Sequence, residues 1–158
     1  MPMINLDIPG FGPVLLRHLV CDYSGTLSID GKLIEGVAGR LNRLAENLDI
    51  HILTADTHGG AAAELRDISC TIKFLDPECQ DLQKEQYILK HFADTVIAIG
   101  NGNNDRKMLK TARIGIAVCL AEGLATDALR FADIIVNSVT DALDLLIFPK
   151  RLLATLRF

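Results

Sequence analysis

Tryptophan is absent from the 158 residues, and only two tyrosines and six phenylalanines occur. A chain so poor in aromatic rings has few platforms on which the bases of a single-stranded nucleic acid could stack. Positive charge is not in excess either: 16 Lys and Arg stand against 20 Asp and Glu, for a net charge of −4. That balance excludes a protein that holds the phosphate backbone of a nucleic acid electrostatically. The longest apolar run, Ile114 to Ala121, contains Gly115 and falls far short of the roughly 20 residues of a membrane span. Cys21, Cys70, Cys79 and Cys119 are scattered, with no Cys-x-x-Cys pair and no histidine at zinc-finger spacing. Reduced thiols are therefore expected, not a disulfide framework or a zinc site. The N-terminus has no basic region followed by an apolar stretch, so the cytoplasm is the expected compartment.

Hydrophobic residues make up 49% of the chain and charged residues 23%, a globular composition with enough material for one domain over residues 1–158. Short β-branched runs alternate with helical patterns. Met3 to Ile8 and Val14 to Val20 flank Pro9-Gly10-Phe11-Gly12, which predicts an N-terminal β-hairpin feeding the first core strand, 17–21. Further strands are expected near 49–53, 70–75, 95–99, 114–118 and 132–136. Between them, helices are expected over 34–48, 61–67, 82–92, 105–112 and 122–129, with a last one running from Ser138 into the basic tail. Ser28 to Lys32, around Asp30-Gly31, predicts a small flap. Strand and helix in regular succession imply right-handed crossovers, hence an α/β, doubly wound parallel sheet with helices on both faces.

In such sheets the site forms at the carboxyl ends of the strands. Three polar loops qualify: Asp22-Tyr23-Ser24-Gly25-Thr26, the segment from Thr54 toward a helix starting near His58, and Gly100-Asn101-Gly102-Asn103-Asn104-Asp105. Each has a bland alternative, a solvated carboxylate for Asp22 and a helix cap for Thr54. The third loop also begins like a dinucleotide fingerprint, but Asp105 occupies the place of the third glycine.

Taken together, Asp-x-x-Gly-Thr after the first strand, a Thr ending the second, and Gly-x-Gly-x-Asn-Asp after a later strand resemble the haloacid-dehalogenase superfamily. Within it the likeness is to the phosphorylation domain of P-type ATPases, through Leu53-Thr54-Ala55-Asp56, Gly100 to Asp105, and Arg113 to Val118 followed by Ala128 to Asp133. The resemblance covers residues 17–147 and implies a Rossmann-like three-layer sandwich without a cap domain, acting on a phosphorylated substrate with Mg²⁺. It implies that Asp22 is the nucleophile that forms an aspartyl-phosphate, and a carboxylate is already ionised at neutral pH. By the same likeness Thr54 and the Ala55 backbone, with Ser24 and Gly25, bind the phosphoryl group. A lysine must hold the negative charge. Lys84 fits because it opens the helix preceding the Gly100 loop; Lys90 is the second candidate, and Lys73 falls within a strand pattern. Asp22, the Ser24 carbonyl, Asn101 and Asp105 are the implied metal ligands.

Two positions depart from the family pattern. Phosphatases of the superfamily carry an acid/base Asp two residues after the nucleophile, where this chain has Ser24 and P-type ATPases have Thr. A serine hydroxyl supplies no proton near pH 7, so turnover is expected to be slow or the phosphoenzyme long-lived. The first Asp of the Gly-Asp-Gly loop is Asn101, which keeps a carbonyl ligand and loses a charge. A non-catalytic module that binds phosphate or a phosphoprotein is thus the rival expectation. The intervals 27–53 and 57–83 are too short for a cap, and an ion pump is excluded for want of membrane helices. The open cleft leaves room for the second subunit of a homo-oligomer, with Leu145 to Phe148 and Leu152-Leu153 as candidate contacts.

Overall fold

The protein, represented by a computed structural model, is described over residues 3–56 and 60–158. Six strands form one parallel sheet: β3 (His18–Asp22), β6 (Asp49–Thr54), β7 (Thr71–Phe74), β8 (Val96–Gly100), β9 (Ile114–Val118) and β10 (Ile134–Val136), in the order β10-β9-β8-β3-β6-β7. The α/β, doubly wound parallel sheet expected from the sequence is what forms. β3 pairs with β6 on one side and β8 on the other. The chain therefore winds outward from β3 in one direction, then returns to its other side. That reversal opens a crevice at the carboxyl ends of β3 and β8, where ligands bind in this architecture.

The helices sort onto two faces. α1 (Val37–Leu44), α2 (Gly60–Leu65), α6 (Val139–Ile147) and α7 (Pro149–Leu156) cover one face with the hairpin of β1 (Ile4–Ile8) and β2 (Gly12–Leu16). α3 (Gln80–Lys90), α4 (Arg106–Thr111) and α5 (Thr126–Phe131) cover the other. The strands serve both: along β3, Leu19 and Cys21 join the first core, while Val20 joins the second. This alternation follows from the two-residue period of a strand. β8 and β9 are buried throughout, as expected of strands sandwiched between helices.

Several boundaries moved for local reasons. The first helix is shorter than 34–48 because Gly36 enters it with φ 85°. The run 14–20 is two strands with Arg17 between them, not one. α5 starts at 126 instead of 122 because Gly123, φ 87°, turns the chain there. The final helix is two: Pro149 has no N–H to continue α6 and instead begins α7. Leu146 and Leu152 are buried in the core, with Leu145, Ile147 and Leu153 partly buried against it, while Phe148 is exposed. The flap exists as the hairpin β4 (Ser28–Ile29) and β5 (Lys32–Leu33), with Asp30 and Gly31 both at positive φ. Among the described residues, only this hairpin and α1 separate β3 from β6, and only α2 separates β6 from β7. No helix of the described residues is long and apolar enough to cross a membrane. The expected helix start near His58 lies outside the described residues.

Candidate active site

A cleft of about 600 Å³ opens at the carboxyl ends of the strands, lined among others by Asp22, Ser24, Thr54, Ala55, Lys84 and Asn101. Asp22 is the last residue of β3 and only 7% exposed. Gly25, at φ 75°, turns the chain immediately after it, and a Cβ there would lie 2.7 Å from Asn101 Nδ2. This turn returns Thr26 to the strand end, where its hydroxyl reaches Asp22 Oδ2 at 3.0 Å and Asn101 Oδ1 at 3.2 Å. Sequence reasoning gave Thr26 no role, although it closes the Asp-x-x-Gly-Thr pattern.

Lys84 lies in the second turn of α3 and is 1% exposed. Its Nζ donates to Asp22 Oδ1 at 2.8 Å and to Asp105 Oδ1 at 2.6 Å. Lys90, at the end of the same helix, and Lys73, on the edge strand, are both exposed. Of the three lysines ranked from the sequence, the first choice, Lys84, is the one that reaches Asp22. Asp105 is fully buried behind the cleft; its second oxygen accepts the backbone N–H groups of Asn101 and Gly102, both at 2.9 Å. With both oxygens engaged, Asp105 faces Lys84 and its own loop instead of the cleft. The loop can close this tightly because Gly100 has no side chain: a Cβ there would sit 2.6 Å from Asp105 Cγ.

Thr54 ends β6, and its hydroxyl oxygen accepts the Asp56 N–H at 3.1 Å, which leaves the hydroxyl proton to be donated. Ser24 is exposed at the cleft wall. Gln80 and Asn104, which the sequence did not single out, are joined across the rim by a 3.0 Å hydrogen bond. Tyr23 donates its hydroxyl to the Gly31 carbonyl at 2.9 Å and so ties the flap to the nucleophile loop.

Two carboxylates share one ammonium here. Burial first, then the neighbouring Asp105 carboxylate, push Asp22 up to about 7 against the pull of Lys84. Burial opposes the charge of Lys84, but Asp22 and Asp105 outweigh it and hold the ammonium above its ordinary value. The site is short of one positive charge. Asp22 Oδ2 and Asn101 Oδ1, both within reach of one hydroxyl, offer oxygen donors of the kind Mg²⁺ takes. Among the described residues no three His, Cys, Asp or Glu side chains converge on a metal-sized point. A cation would therefore have one carboxylate, amide and backbone oxygens, and the remainder from substrate or water, which is the usual protein share for Mg²⁺.

Residues 80–142 match the sequence profile of a family described as haloacid dehalogenase-like hydrolase. An uncharacterized protein of Methanocaldococcus jannaschii is 50% identical over 62 residues, 39% of this chain and 67% of that protein. A probable phospholipid-transporting ATPase of Homo sapiens is 30% identical over 112 residues, which span 68% of this chain and 9% of the ATPase. Among solved structures, the 3-deoxy-D-manno-octulosonate 8-phosphate phosphatase of Moraxella catarrhalis, in complex with magnesium, phosphate and its sugar, superposes with a TM-score of 0.68. It is 17% identical and covers 90% of this chain and 94% of its own. At that identity the likeness is one of fold.

Proposed function

We propose that this chain, whose residues 80–142 match the haloacid dehalogenase-like hydrolases, is a Mg²⁺-dependent phosphohydrolase working through an aspartyl-phosphate on Asp22. The observation that carries the proposal is the buried Lys84 ammonium, hydrogen-bonded to the Asp22 carboxylate, which lines the cleft at the end of the central strand. A carboxylate oriented by a fixed cation is a positioned nucleophile.

In the first step an Asp22 oxygen forms a bond to phosphorus and the bond from phosphorus to the leaving oxygen breaks. Lys84 holds the negative charge that nucleophile and phosphoryl group bring together, and the Thr54 hydroxyl donates to a phosphoryl oxygen. The Ala55 N–H lies beside it in the same wall. When bound, Mg²⁺ supplies electrostatic neutralisation of the phosphoryl oxygens; Asp22, the Ser24 carbonyl and Asn101 would hold it. Asp105 keeps Lys84 and the Asn101 loop in place from behind. In the second step water attacks the aspartyl-phosphate, regenerating Asp22 and releasing phosphate.

The leaving oxygen needs a proton, and Ser24 is a poor source. Positioned acid catalysis contributes about 10²–10⁴-fold, so turnover should be slow for alcohol leaving groups. p-Nitrophenolate leaves without a proton, which makes p-nitrophenyl phosphate the suitable probe. Hydrolysis that requires Mg²⁺ and disappears in Asp22→Asn supports the proposal, and activity indifferent to that substitution overturns it. Ser24 and Asn101 favour a second reading, a module that binds phosphate or a phosphoprotein without turnover; tight binding of a phosphoryl mimic with no Asp22-dependent hydrolysis would select it.

A further inference from the structure

Helix α3 is fastened to the sheet at two polar points, and only one of them is in the cleft. The helix face that meets the sheet carries Lys84, Ile88 and His91, with Tyr87 beside them, at the spacing of one helical face. The opposing face of β3 carries His18, Val20 and Asp22, alternate residues of one strand. Lys84 to His91 rises about 10 Å along the helix, and His18 to Asp22 spans about 13 Å of strand. The two faces therefore match end to end: Lys84 on Asp22 at the carboxyl edge, fully buried Ile88 in the core that contains Val20, and His91 beside His18 at the amino edge.

The amino-edge contact is built from four rings on three elements. His18 Nδ1 lies 3.2 Å from His51 Nε2, and His51 Nδ1 shares a 2.9 Å hydrogen bond with the Tyr87 hydroxyl. The His91 ring packs on both, 4.6 Å from His51 and 4.5 Å from Tyr87 between centroids, and its Nδ1 donates to the Tyr87 carbonyl at 2.9 Å. A neutral imidazole has one donor and one acceptor, and His51 uses both. Burial, then the neighbouring His91 and His18, lower His51 to about 4, so it is neutral at pH 7. Nothing in the hydrolysis described above uses these rings.

We propose that the His51–Tyr87 contact, with His18 and His91, is a latch that sets the position of Lys84 from the opposite edge of the sheet. The physical need is clear. Taking the Lys84 ammonium out of water is costly, and two carboxylates hold it only while the helix stays seated. A hydrogen bond one turn further along the same helix, at Tyr87, fixes that seating. Tyr87 and His51 are thus positioning residues, and this inference rests on the role given to Lys84 above.

The test is a double-mutant cycle with Tyr87→Phe, which removes only the hydroxyl, and His51→Leu, which removes its partner. Two quantities are read: acetic anhydride labelling of Lys84 by mass spectrometry, and kcat and KM for p-nitrophenyl phosphate with Mg²⁺. Val37→Ala, on the opposite face of the sheet, serves as a control for lost stability. Each latch variant should raise Lys84 labelling roughly five- to tenfold, the worth of one hydrogen bond, beyond what its loss of thermal midpoint explains on the control's scale. It should lower kcat by a similar factor, with KM changed less than about twofold. The double variant should add little to either single one. Labelling no greater than the control's overturns the latch whatever the activity, and so does increased labelling with unchanged kcat. Increased labelling in a protein without Asp22-dependent turnover keeps the latch and overturns the phosphohydrolase.

Discussion

Lys84 and Asp22 are 62 positions apart in the chain, yet the ammonium of one lies 2.8 Å from the carboxylate of the other, in a site where both are buried. One cation there faces two carboxylates, Asp22 and Asp105. The charge deficit makes the site a weak point in the fold that a bound cation would relieve.

Asp22→Asn should therefore separate stability from activity. Burial raises the Asp22 carboxyl to about 7, above its unfolded value, so its ionisation costs stability as pH rises through that range. At pH 8 in EDTA, Asp22→Asn should unfold in urea later than the parent, by on the order of 1–3 kcal/mol. Added Mg²⁺ should raise the parent's midpoint by mass action and move the variant's less. A variant less stable than the parent under these conditions would contradict this account.

Ser24 is exposed on the cleft wall, so a carboxyl group fits there without repacking. Ser24→Asp should accelerate hydrolysis of alkyl phosphate monoesters by roughly 10²-fold or more. It should accelerate p-nitrophenyl phosphate less, because that leaving group needs no acid and gains only from a base for the water that attacks the aspartyl-phosphate. No acceleration of either substrate type would show that Ser24 does not stand at the acid/base position.

Gly100→Ala places a methyl group 2.6 Å from the Asp105 carboxyl carbon. Asp105 must then move, which disturbs its bonds to Lys84 and to the Asn101 and Gly102 amides. Overpacking and broken buried bonds together should cost about 2–4 kcal/mol in chemical denaturation. Mg²⁺ titration of the folded fraction should show weaker binding, since the Asn101 loop is displaced.

The histidine latch makes stability pH-dependent. His18 and His51 lie among His91, Tyr87, Asp49 and Arg17, and both are held below the ordinary imidazole value, burial being the first cause. Between about pH 6.5 and 4 the unfolded chain binds more protons, so this contribution is present at neutral pH and lost on acidification. Asp22 works in the opposite sense over an overlapping range, so the measurement belongs in the Asp22→Asn background. There, His51→Leu, at a buried position, should flatten the acid limb of urea stability by on the order of 1–3 kcal/mol. An unchanged limb would show that His51 takes up its proton at the same pH in the folded protein as in the unfolded chain.

Much of this molecule was legible in one dimension. Apolar runs at strand length bounded by turn residues located all six strands of the sheet, and the three polar loops after β3, β6 and β8 marked its carboxyl edge. These signals are local: side-chain period, turn chemistry and strand-end position are properties of neighbouring residues. Helix ends were less legible because a single glycine or proline decides them, as at Gly36, Gly123 and Pro149. Thr26 stood inside a recognised pattern, but its hydrogen bonds to Asp22 and Asn101 depend on how tightly Gly25 turns.

The sequence by itself determined a parallel α/β sheet and the carboxylate, hydroxyl and amide-rich loop that end its strands. Tertiary structure alone decided which lysine reaches Asp22, that Asp105 stands behind the cleft, and that three of the four histidines meet one tyrosine at the far edge. The reason is physical. A strand fixes the direction of its own residues, but the partner of a buried charge is set by the seating of a helix on a sheet, and that depends on side chains from every part of the chain.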